Sequence, residues 1–207
     1  MKRKNKILIA CEESQAIAKE FRFLGYEAYS CDIQDCSGGY PEWHIKGDAI
    51  EEAYSGKYNL MIAHPPCTYL SNAGSRWLYP KGVLNRDRYE KGLEAKEFFM
   101  KLLNAPIQKI CVENPLPSKI FNLPSWSQMI QPYQYGEPYS KRTLLWLKNL
   151  PLLKPTKIIE EYDYWCSNGY GWKKGKRIYG KASSKKERSK TFKGVAEAIA
   201  SQWSKVL

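Results

Sequence analysis

Long apolar runs are missing from this sequence of 207 residues. No stretch approaches the roughly 20 apolar residues that a membrane-spanning helix needs, so we expect no membrane partner. The run at residues 7–11, which follows a basic start, is also too short for the apolar part of a secretory signal peptide. Internal repeats are absent as well. These absences predict a protein that stays in the cytoplasm.

Cysteine pairs are missing too. The six cysteines include neither a Cys-x-x-Cys pair nor the ligand spacing of a zinc site. They are scattered along the chain and most fall in apolar surroundings, as is usual for reduced thiols in a cytoplasm. The sequence therefore predicts neither a disulfide framework nor a metal site.

Positive charge is what the sequence has in excess. Lys and Arg number 33 against 21 Asp and Glu, which gives a formal net charge of +12 at pH 7. Clustered Lys and Arg release counterions from phosphates, so the excess favours a polyanionic partner. The hydrophobic share of 43% and the charged share of 26% are those of a globular domain and argue against disorder.

Apolar runs and helical spacings alternate along the first half of the chain. They predict strands at residues 7–11, 27–32, 58–63, 109–112 and 143–147, and helices at 14–24, 89–103 and 191–203. This alternation predicts an α/β fold with a mainly parallel sheet and flanking helices. Such sheets bind ligands at the carboxyl ends of their strands. Unusual residues follow several predicted strands: Cys11-Glu12-Glu13, Asp32, His64-Pro65-Pro66-Cys67 and Glu113-Asn114-Pro115.

Basic residues concentrate in one segment near the end of the chain. We divide the chain into a core at residues 1–150, a basic aromatic insert at 151–190, and a C-terminal helix at 191–207 that returns to the core. Glycines break any regular period in the insert, which predicts an irregular segment. Aromatic rings stack on bases while cations meet phosphates, so the insert predicts nucleic-acid contacts. The residues expected to make these contacts are Lys173, Lys174, Lys176 and Arg177.

One cysteine and one acid stand at two of the strand ends. Two prolines fix the backbone in front of Cys67, and a positioned thiol that ionises is a nucleophile. Glu113 follows the next long strand pattern. The two side chains can meet over a single ring substrate, so we expect both in one active site. Taken alone, the Pro-Pro-Cys motif is a weak signal and is more typical of a structural thiol.

These motifs resemble those of a known family. His64-Pro-Pro-Cys-Thr68 resembles the catalytic loop of DNA cytosine-5 methyltransferases, and Val112-Glu-Asn-Pro115 resembles their Glu-Asn-Val signature. Residues 135–143 are similar to the family's Tyr-Gly-x-Pro-Gln-x-Arg-x-Arg block. Apart from the insert, most of the chain is similar to the compact members found in phage and prophage genomes. The resemblance implies a Rossmann-like S-adenosylmethionine-dependent methyltransferase fold and, for a phage-encoded chain, the cytoplasm of a bacterial host.

The resemblance also implies a covalent mechanism. The thiolate of Cys67 adds to carbon 6 of cytosine, which makes carbon 5 nucleophilic. Glu113 protonates or hydrogen-bonds ring nitrogen 3. A cytosine within a duplex is flipped out of the stack. Substrate contacts are implied for Pro66, Asn114, Pro115, Lys141 and Arg142.

S-adenosylmethionine is the cofactor that the resemblance implies. Cys11, Glu12 and Ser14 occupy the place of the family's glycine loop, although its glycines are absent. Asp32 is implied at the ribose hydroxyls and Asp48 at the adenine amino group; both are otherwise ordinary strand-end and turn acids. For Glu12 the alternative is a cap of the following helix. Further cofactor contacts are implied for Ile33, Ala49 and Pro65.

Two departures from the family keep alternatives open. Tyr139, Lys141 and Thr143 replace a Gln and two Arg that hold the base, and only residues 151–190 stand where a target-recognition region is usual. A region this short implies low specificity, a very short site, or dependence on a homodimer or a partner chain. The alternatives to duplex DNA are the same chemistry on single-stranded DNA or a free cytosine nucleotide. A different alternative is a catalytically inactive protein that keeps the fold to bind nucleic acid or inhibit a partner.

Overall fold

A seven-stranded sheet forms the centre of the computed structural model, which describes residues 5–165, 170–173, 176–179 and 189–207. The β-strands in chain order are β1 (Lys6–Ala10), β2 (Glu27–Asp32), β3 (His44–Lys46), β4 (Leu60–Ala63), β5 (Lys109–Asn114), β6 (Gln128–Ile130), β7 (Tyr139–Ser140), β8 (Thr143–Lys148), β9 (Asp163–Tyr164), β10 (Tyr170–Lys173) and β11 (Lys176–Tyr179). The α-helices are α1 (Ala16–Phe23), α2 (Ala49–Ala53), α3 (Ser75–Leu78), α4 (Arg86–Leu103) and α5 (Lys193–Trp203). No helix in these ranges is both long and apolar enough to span a membrane.

The strand order confirms the predicted fold class. The order is β3-β2-β1-β4-β5-β8-β6, and all neighbouring pairs from β3 to β5 are parallel. Strand β8 is antiparallel to both β5 and β6. The chain passes from β1 to β2 and β3 on one side and returns through β4 on the other. This gives a Rossmann-like sheet with its switch point between the carboxyl ends of β1 and β4, where ligands of such folds bind.

Both faces of the sheet are covered, which explains the continuous apolar runs of its central strands. Ile9 of β1 belongs to a buried cluster with Phe21 of α1 and Trp203 of α5. Leu8, whose side chain points to the opposite face, belongs to a second cluster with Phe99 of α4. The helices thus hold the sheet from two sides and leave its carboxyl edge to the loops.

Several elements differ from the sequence predictions. The helix predicted from residue 89 begins at Arg86, because the Asn85 side chain accepts a hydrogen bond from the backbone N–H of Arg88 at 3.0 Å and caps the first turn. Strands β3 and β6 were not predicted. Within the insert, the prediction of an irregular segment is wrong where β10 and β11 pair as antiparallel strands. Leu153, at the start of the insert, is buried in the core.

The expected nucleic-acid contacts of the insert stay a prediction. Lys174 lies outside the described residues, as do the side chains of Lys173, Lys176 and Arg177. The structure gives their neighbourhood only as the backbone pairing of β10 with β11, in which Trp172 is opposite Arg177. The division of the chain at residues 150 and 190 likewise stays a prediction.

Candidate active site

The loops that follow β4 and β5 are joined by hydrogen bonds. Asn114, which is buried, donates from Nδ2 to the backbone carbonyl of Pro65 at 2.8 Å. Further along, the N–H of Asn72 donates to the carbonyl of Leu116, also at 2.8 Å. Half-buried Pro115 lies between these two tethers. The structure therefore places the Pro-Pro-Cys and Glu-Asn-Pro segments side by side at the carboxyl edge of the sheet.

Asn114→Ala should loosen this junction. The Pro65 carbonyl would lose its buried donor, so we expect the free energy of unfolding to fall by about 1–3 kcal/mol. Urea unfolding at neutral pH measures the change. Asn104→Ala, at an exposed position after α4, is the control and should change stability by less than about 0.5 kcal/mol. Equal losses in the two variants would show that Asn114 anchors nothing.

Glu113 forms a close pair with His64. The Nδ1 atom of His64 lies 3.1 Å from Oε2 of Glu113, and the two side chains are only 15% and 22% exposed. Burial raises the pKa of Glu113. The hydrogen bond with His64 and the charges of His64 and Lys141 lower the pKa by more than burial raises it. The pKa therefore lies below its usual range, and Glu113 is a carboxylate at neutral pH.

A cavity opens beside this pair. Its floor is apolar and comes from β4, β5, β8 and α5, and its polar wall includes His64, Glu113, Lys141 and Thr143. Phe192 closes one side. Its volume of about 30 Å³ is far below the roughly 300–1,000 Å³ of a small-molecule site, so in this structure it has room for little more than a water molecule. The described residues contain no group of three or more His, Cys, Asp or Glu side chains arranged for a metal ion.

Cys67 lies on the same loop as His64 but outside this cavity. It is half-buried, between exposed Pro66 and a turn in which the Cys67 carbonyl accepts from the N–H groups of Leu70 and Ser71 at 3.2 and 2.9 Å. Pro65 is buried. The side chains that line the cavity in this part of the structure do not include Cys67. The two loops are thus adjacent, and of the two candidate catalytic side chains only Glu113 lines this cavity.

The third block of the family resemblance lies across the cavity from β5. Lys141 lines the cavity, and its Nζ lies 5.9 Å from the centre of the Phe192 ring, whereas Arg142 is exposed. Glu137 accepts a hydrogen bond from the N–H of Gly194 at 2.9 Å, at the start of α5. Of the two basic residues expected at the substrate, the structure brings only Lys141 to the cavity.

The β1–α1 loop adopts a backbone typical of glycine without containing one. Cys11 and Gln15 have φ angles of 58° and 56°, in the left-handed region that favours glycine. Gln15 is buried and exchanges two hydrogen bonds with the backbone of Tyr40, at 2.7 and 3.1 Å. A Cβ atom on Gly38 would lie 2.5 Å from the carbonyl oxygen of Ser14. The loop at residues 34–40 therefore packs directly on the β1–α1 loop.

Glu12 caps helix α1. Its two carboxylate oxygens accept from the N–H groups of Ile17 and Ala18 at 2.8 and 3.3 Å, and its side chain is buried. Burial raises the pKa of Glu12, although the charge of His64 and the two N–H groups oppose that rise. The positive end of α1 is already occupied by a carboxylate of the chain itself, so it offers no site to a phosphate group.

Two further acids stand at the carboxyl edge. Asp32, the last residue of β2, accepts a hydrogen bond at 2.9 Å from the backbone N–H two residues further on. Asp48 does the same at 2.7 Å and caps α2, of which buried Ala49 is the first residue. Ile33 is 78% exposed beside Asp32. The edge beyond β2 and β3 thus offers two carboxylates and one uncovered apolar side chain.

Sequence reasoning missed a basic aromatic surface directly after Cys67, at residues 68–88, which we call the post-cysteine segment. Trp77 and Tyr79 are 57% and 42% exposed, and the guanidinium carbon of Arg76 lies 5.0 Å from the centre of the Trp77 ring. The segment has four basic residues, Arg76, Lys81, Arg86 and Arg88, against the single acid Asp87. Basic residues between aromatic ones led to the prediction of nucleic-acid contacts in the insert, and the same pattern would have indicated this segment.

Comparisons with known proteins find solved structures that resemble part of this fold. No protein-family model and no curated protein matches the sequence. A prophage-encoded DNA modification methyltransferase from E. coli superposes with a TM-score of 0.45 and 10% identity, over 82% of this chain and 60% of that one. A methyltransferase from Entamoeba histolytica superposes with a TM-score of 0.47 and 15% identity, over 76% and 58%. The chain spans about three fifths of both, and a likeness at this level assigns no function.

Proposed function

We propose that this chain methylates carbon 5 of cytosine in DNA, with S-adenosylmethionine as the methyl donor. The observation that carries the proposal is the hydrogen bond from Asn114 to Pro65, which holds the loop of Cys67 against the loop of Glu113. A thiol and a carboxyl group on adjoining loops suit nucleophilic addition to a ring whose nitrogen needs a proton or a hydrogen bond. The ring would bind between these two loops, with the Glu113 side chain on one side and Cys67 on the other.

Each residue then has a defined task. The thiolate of Cys67 bonds to carbon 6, and the displaced electron pair moves through the ring to nitrogen 3, where Glu113 supplies a proton or a hydrogen bond. Lys141 contributes positive charge beside Glu113. The bound cofactor would supply an electrophilic methyl group to carbon 5. When the carbon 5 proton has been released to solvent water, the electron pair of that C–H bond forms the double bond between carbons 5 and 6 again and the thiolate leaves carbon 6.

The carboxyl edge fits a nucleoside cofactor that has no phosphate. Asp32 and Asp48 offer carboxylates to hydroxyl and amino groups, and exposed Ile33 offers an apolar surface to a base. Glu12 occupies the end of α1 where a dinucleotide would place its pyrophosphate. S-adenosylmethionine lacks phosphate, whereas nicotinamide and flavin dinucleotides carry it. These side chains therefore favour S-adenosylmethionine.

The post-cysteine segment supports a nucleic-acid substrate. Its four basic residues face a single acid, Asp87, whose carboxylate already pairs with Lys91 at 2.9 Å. Exposed Trp77 and Tyr79 offer rings on which bases stack. Because the segment begins at the residue after Cys67, a strand bound there would bring its bases to the nucleophile. This favours a polymer over a free nucleotide.

Trp77→Ala should weaken DNA binding by about 5- to 150-fold, since stacking of one base on an aromatic ring contributes about 1–3 kcal/mol. Fluorescence anisotropy with a labelled single strand and with a duplex measures the loss. Trp126→Ala is the matched control, because Trp126 is 44% exposed and precedes β6, the edge strand that lies three places from β4 in the sheet. If the two variants lose the same affinity, the post-cysteine segment is not the binding surface.

The test of the proposed function uses DNA in which 5-fluorocytosine replaces cytosine, with tritiated S-adenosylmethionine. Fluorine at carbon 5 prevents the final proton removal, so an active enzyme should form a stable, radiolabelled covalent complex. Duplex, single-stranded DNA and the free nucleotide are compared in parallel, and the form that traps the enzyme identifies the substrate. If the protein binds DNA but neither traps nor binds the cofactor, the proposal is wrong and the inactive nucleic-acid-binding protein replaces it.

A further inference from the structure

His64 is held between two loops of the candidate active site. Its backbone N–H donates to the carbonyl of Ala10 at 2.9 Å, which continues the pairing of β4 with β1 by one residue. The ring then lies between the β1–α1 loop and β5, with Nδ1 at 3.1 Å from Glu113. The other ring nitrogen, Nε2, is buried and has no hydrogen-bond partner in the part of the chain that the structure describes. The backbone of His64 is thus held by β1, and its ring is held by the contact with Glu113.

Acidic groups face His64 from two different elements. Glu12 approaches from the β1–α1 loop, where the charge of His64 influences its pKa, and Glu113 approaches from β5. Lys141, on the link between β7 and β8, faces Glu113 and adds a positive charge on that side. One imidazole that contacts a carboxylate, with a second acid close by, can hold a proton and pass it across the contact.

We infer that His64 supplies the proton that Glu113 presents to ring nitrogen 3 of the substrate. The inference rests on the proposed function. As Cys67 bonds to carbon 6, the pair displaced to nitrogen 3 takes a proton from the Glu113 carboxyl group, which receives one from the Nδ1–H of the His64 imidazolium. When the thiolate leaves, nitrogen 3 returns its proton by the same path. No net proton moves along this path over the cycle, since the proton that leaves carbon 5 is released separately, and His64 acts through Glu113 as a positioning residue.

The need for such a source follows from the state of Glu113. Its pKa lies below the usual range, so the carboxyl group carries no proton of its own at neutral pH when the reaction begins. The cavity floor is apolar, formed by side chains such as Ile62, Leu145 and Val195, while Lys141 and Thr143 belong to its polar wall. His64 is in direct contact with the acid, with Nδ1 at 3.1 Å from Oε2 of Glu113.

His64→Asn tests the inference, because the Asn amide can still donate to Glu113 but holds no titratable proton. The rate of adduct formation on 5-fluorocytosine DNA is measured from pH 5 to 9, with thermal unfolding and DNA affinity as controls. We expect a loss of about 10²-fold at neutral pH. We also expect the alkaline fall of the wild-type rate to move to lower pH, since in the variant Glu113 must itself retain the proton.

Glu12→Gln is the second variant, and it decides the matter if His64→Asn does not fold. Gln can still accept from the N–H of Ile17 and cap α1, while the negative charge near His64 is removed. We expect the alkaline fall to move to lower pH again, because the His64–Glu113 pair loses a neighbouring carboxyl group. The His64–Glu113 contact is untouched in this variant.

The outcomes separate the inference from the function. If the wild type forms no adduct at any pH, the proposed function is wrong. If the wild type forms the adduct and both variants keep its pH profile, His64 supplies no proton, even where their rates are lower. A rate loss with an unmoved profile would mean that His64 only orients Glu113.

Discussion

Cys67→Ala should form no covalent complex with 5-fluorocytosine DNA and should lower the rate of methyl transfer by at least about 10³-fold. The thiolate is the group that bonds to carbon 6, and without that bond carbon 5 is not nucleophilic enough to accept a methyl group. Denaturing gel electrophoresis with tritiated S-adenosylmethionine shows the complex directly. DNA affinity should change little, because the post-cysteine segment is intact.

Two controls accompany this variant. Cys67→Ser keeps the size of the side chain but replaces the thiol with a much weaker nucleophile, so it should be almost as inactive. Cys36→Ala changes another half-buried cysteine and should keep the covalent complex. A radiolabelled complex with Cys67→Ala would identify a different nucleophile and would remove Cys67 from the mechanism.

Glu113→Gln should lower the rate of adduct formation by about 10²- to 10⁴-fold while the DNA affinity stays within a few-fold. The Gln amide can hydrogen-bond ring nitrogen 3, but it cannot transfer a proton to it. Single-turnover rates at pH 7, where Glu113 is ionised in the free enzyme, compare the two proteins. Thermal unfolding checks that the altered contact with His64 has not unfolded the site.

The matched control for this second variant is Glu51→Gln, at an exposed position in α2. It removes the same charge far from the β4 and β5 loops and should keep the wild-type rate. Should Glu113→Gln keep that rate as well, the acid at this position takes no part in the chemistry.

The long elements could be predicted from the sequence because each buries an apolar face. Strand β1 is buried on both sides and therefore shows an unbroken run, and α4 shows its buried stripe over 18 residues. Strand β3 and strand β6 have three residues each, too few for any alternation to stand out. Neighbouring strands, not local preference, hold such short segments in the sheet.

The site could be predicted only as far as its motifs follow strands. The ends of β4 and β5 place Cys67 and Glu113 at one edge, and the sequence was sufficient to predict this for a parallel sheet. The contact between His64 and Glu113 depends on the directions in which side chains leave two different strands. The spacing of residues in the sequence does not predict these directions. The cap that Glu12 provides to α1 was one of two interpretations open from the sequence, and only the geometry distinguishes them.

The position of α5 has a consequence for how the protein folds during its synthesis. Trp203 is wholly buried against the sheet face shared with α1, and the hydroxyl of Tyr26 donates to the carbonyl of Ser204, 178 residues away along the chain, at 3.2 Å. Contacts between residues so distant in sequence form late. While the ribosome is still making the chain, the apolar face beneath α1 stays open until α5 has emerged. The nascent polypeptide therefore passes through a long interval in which it is prone to aggregate.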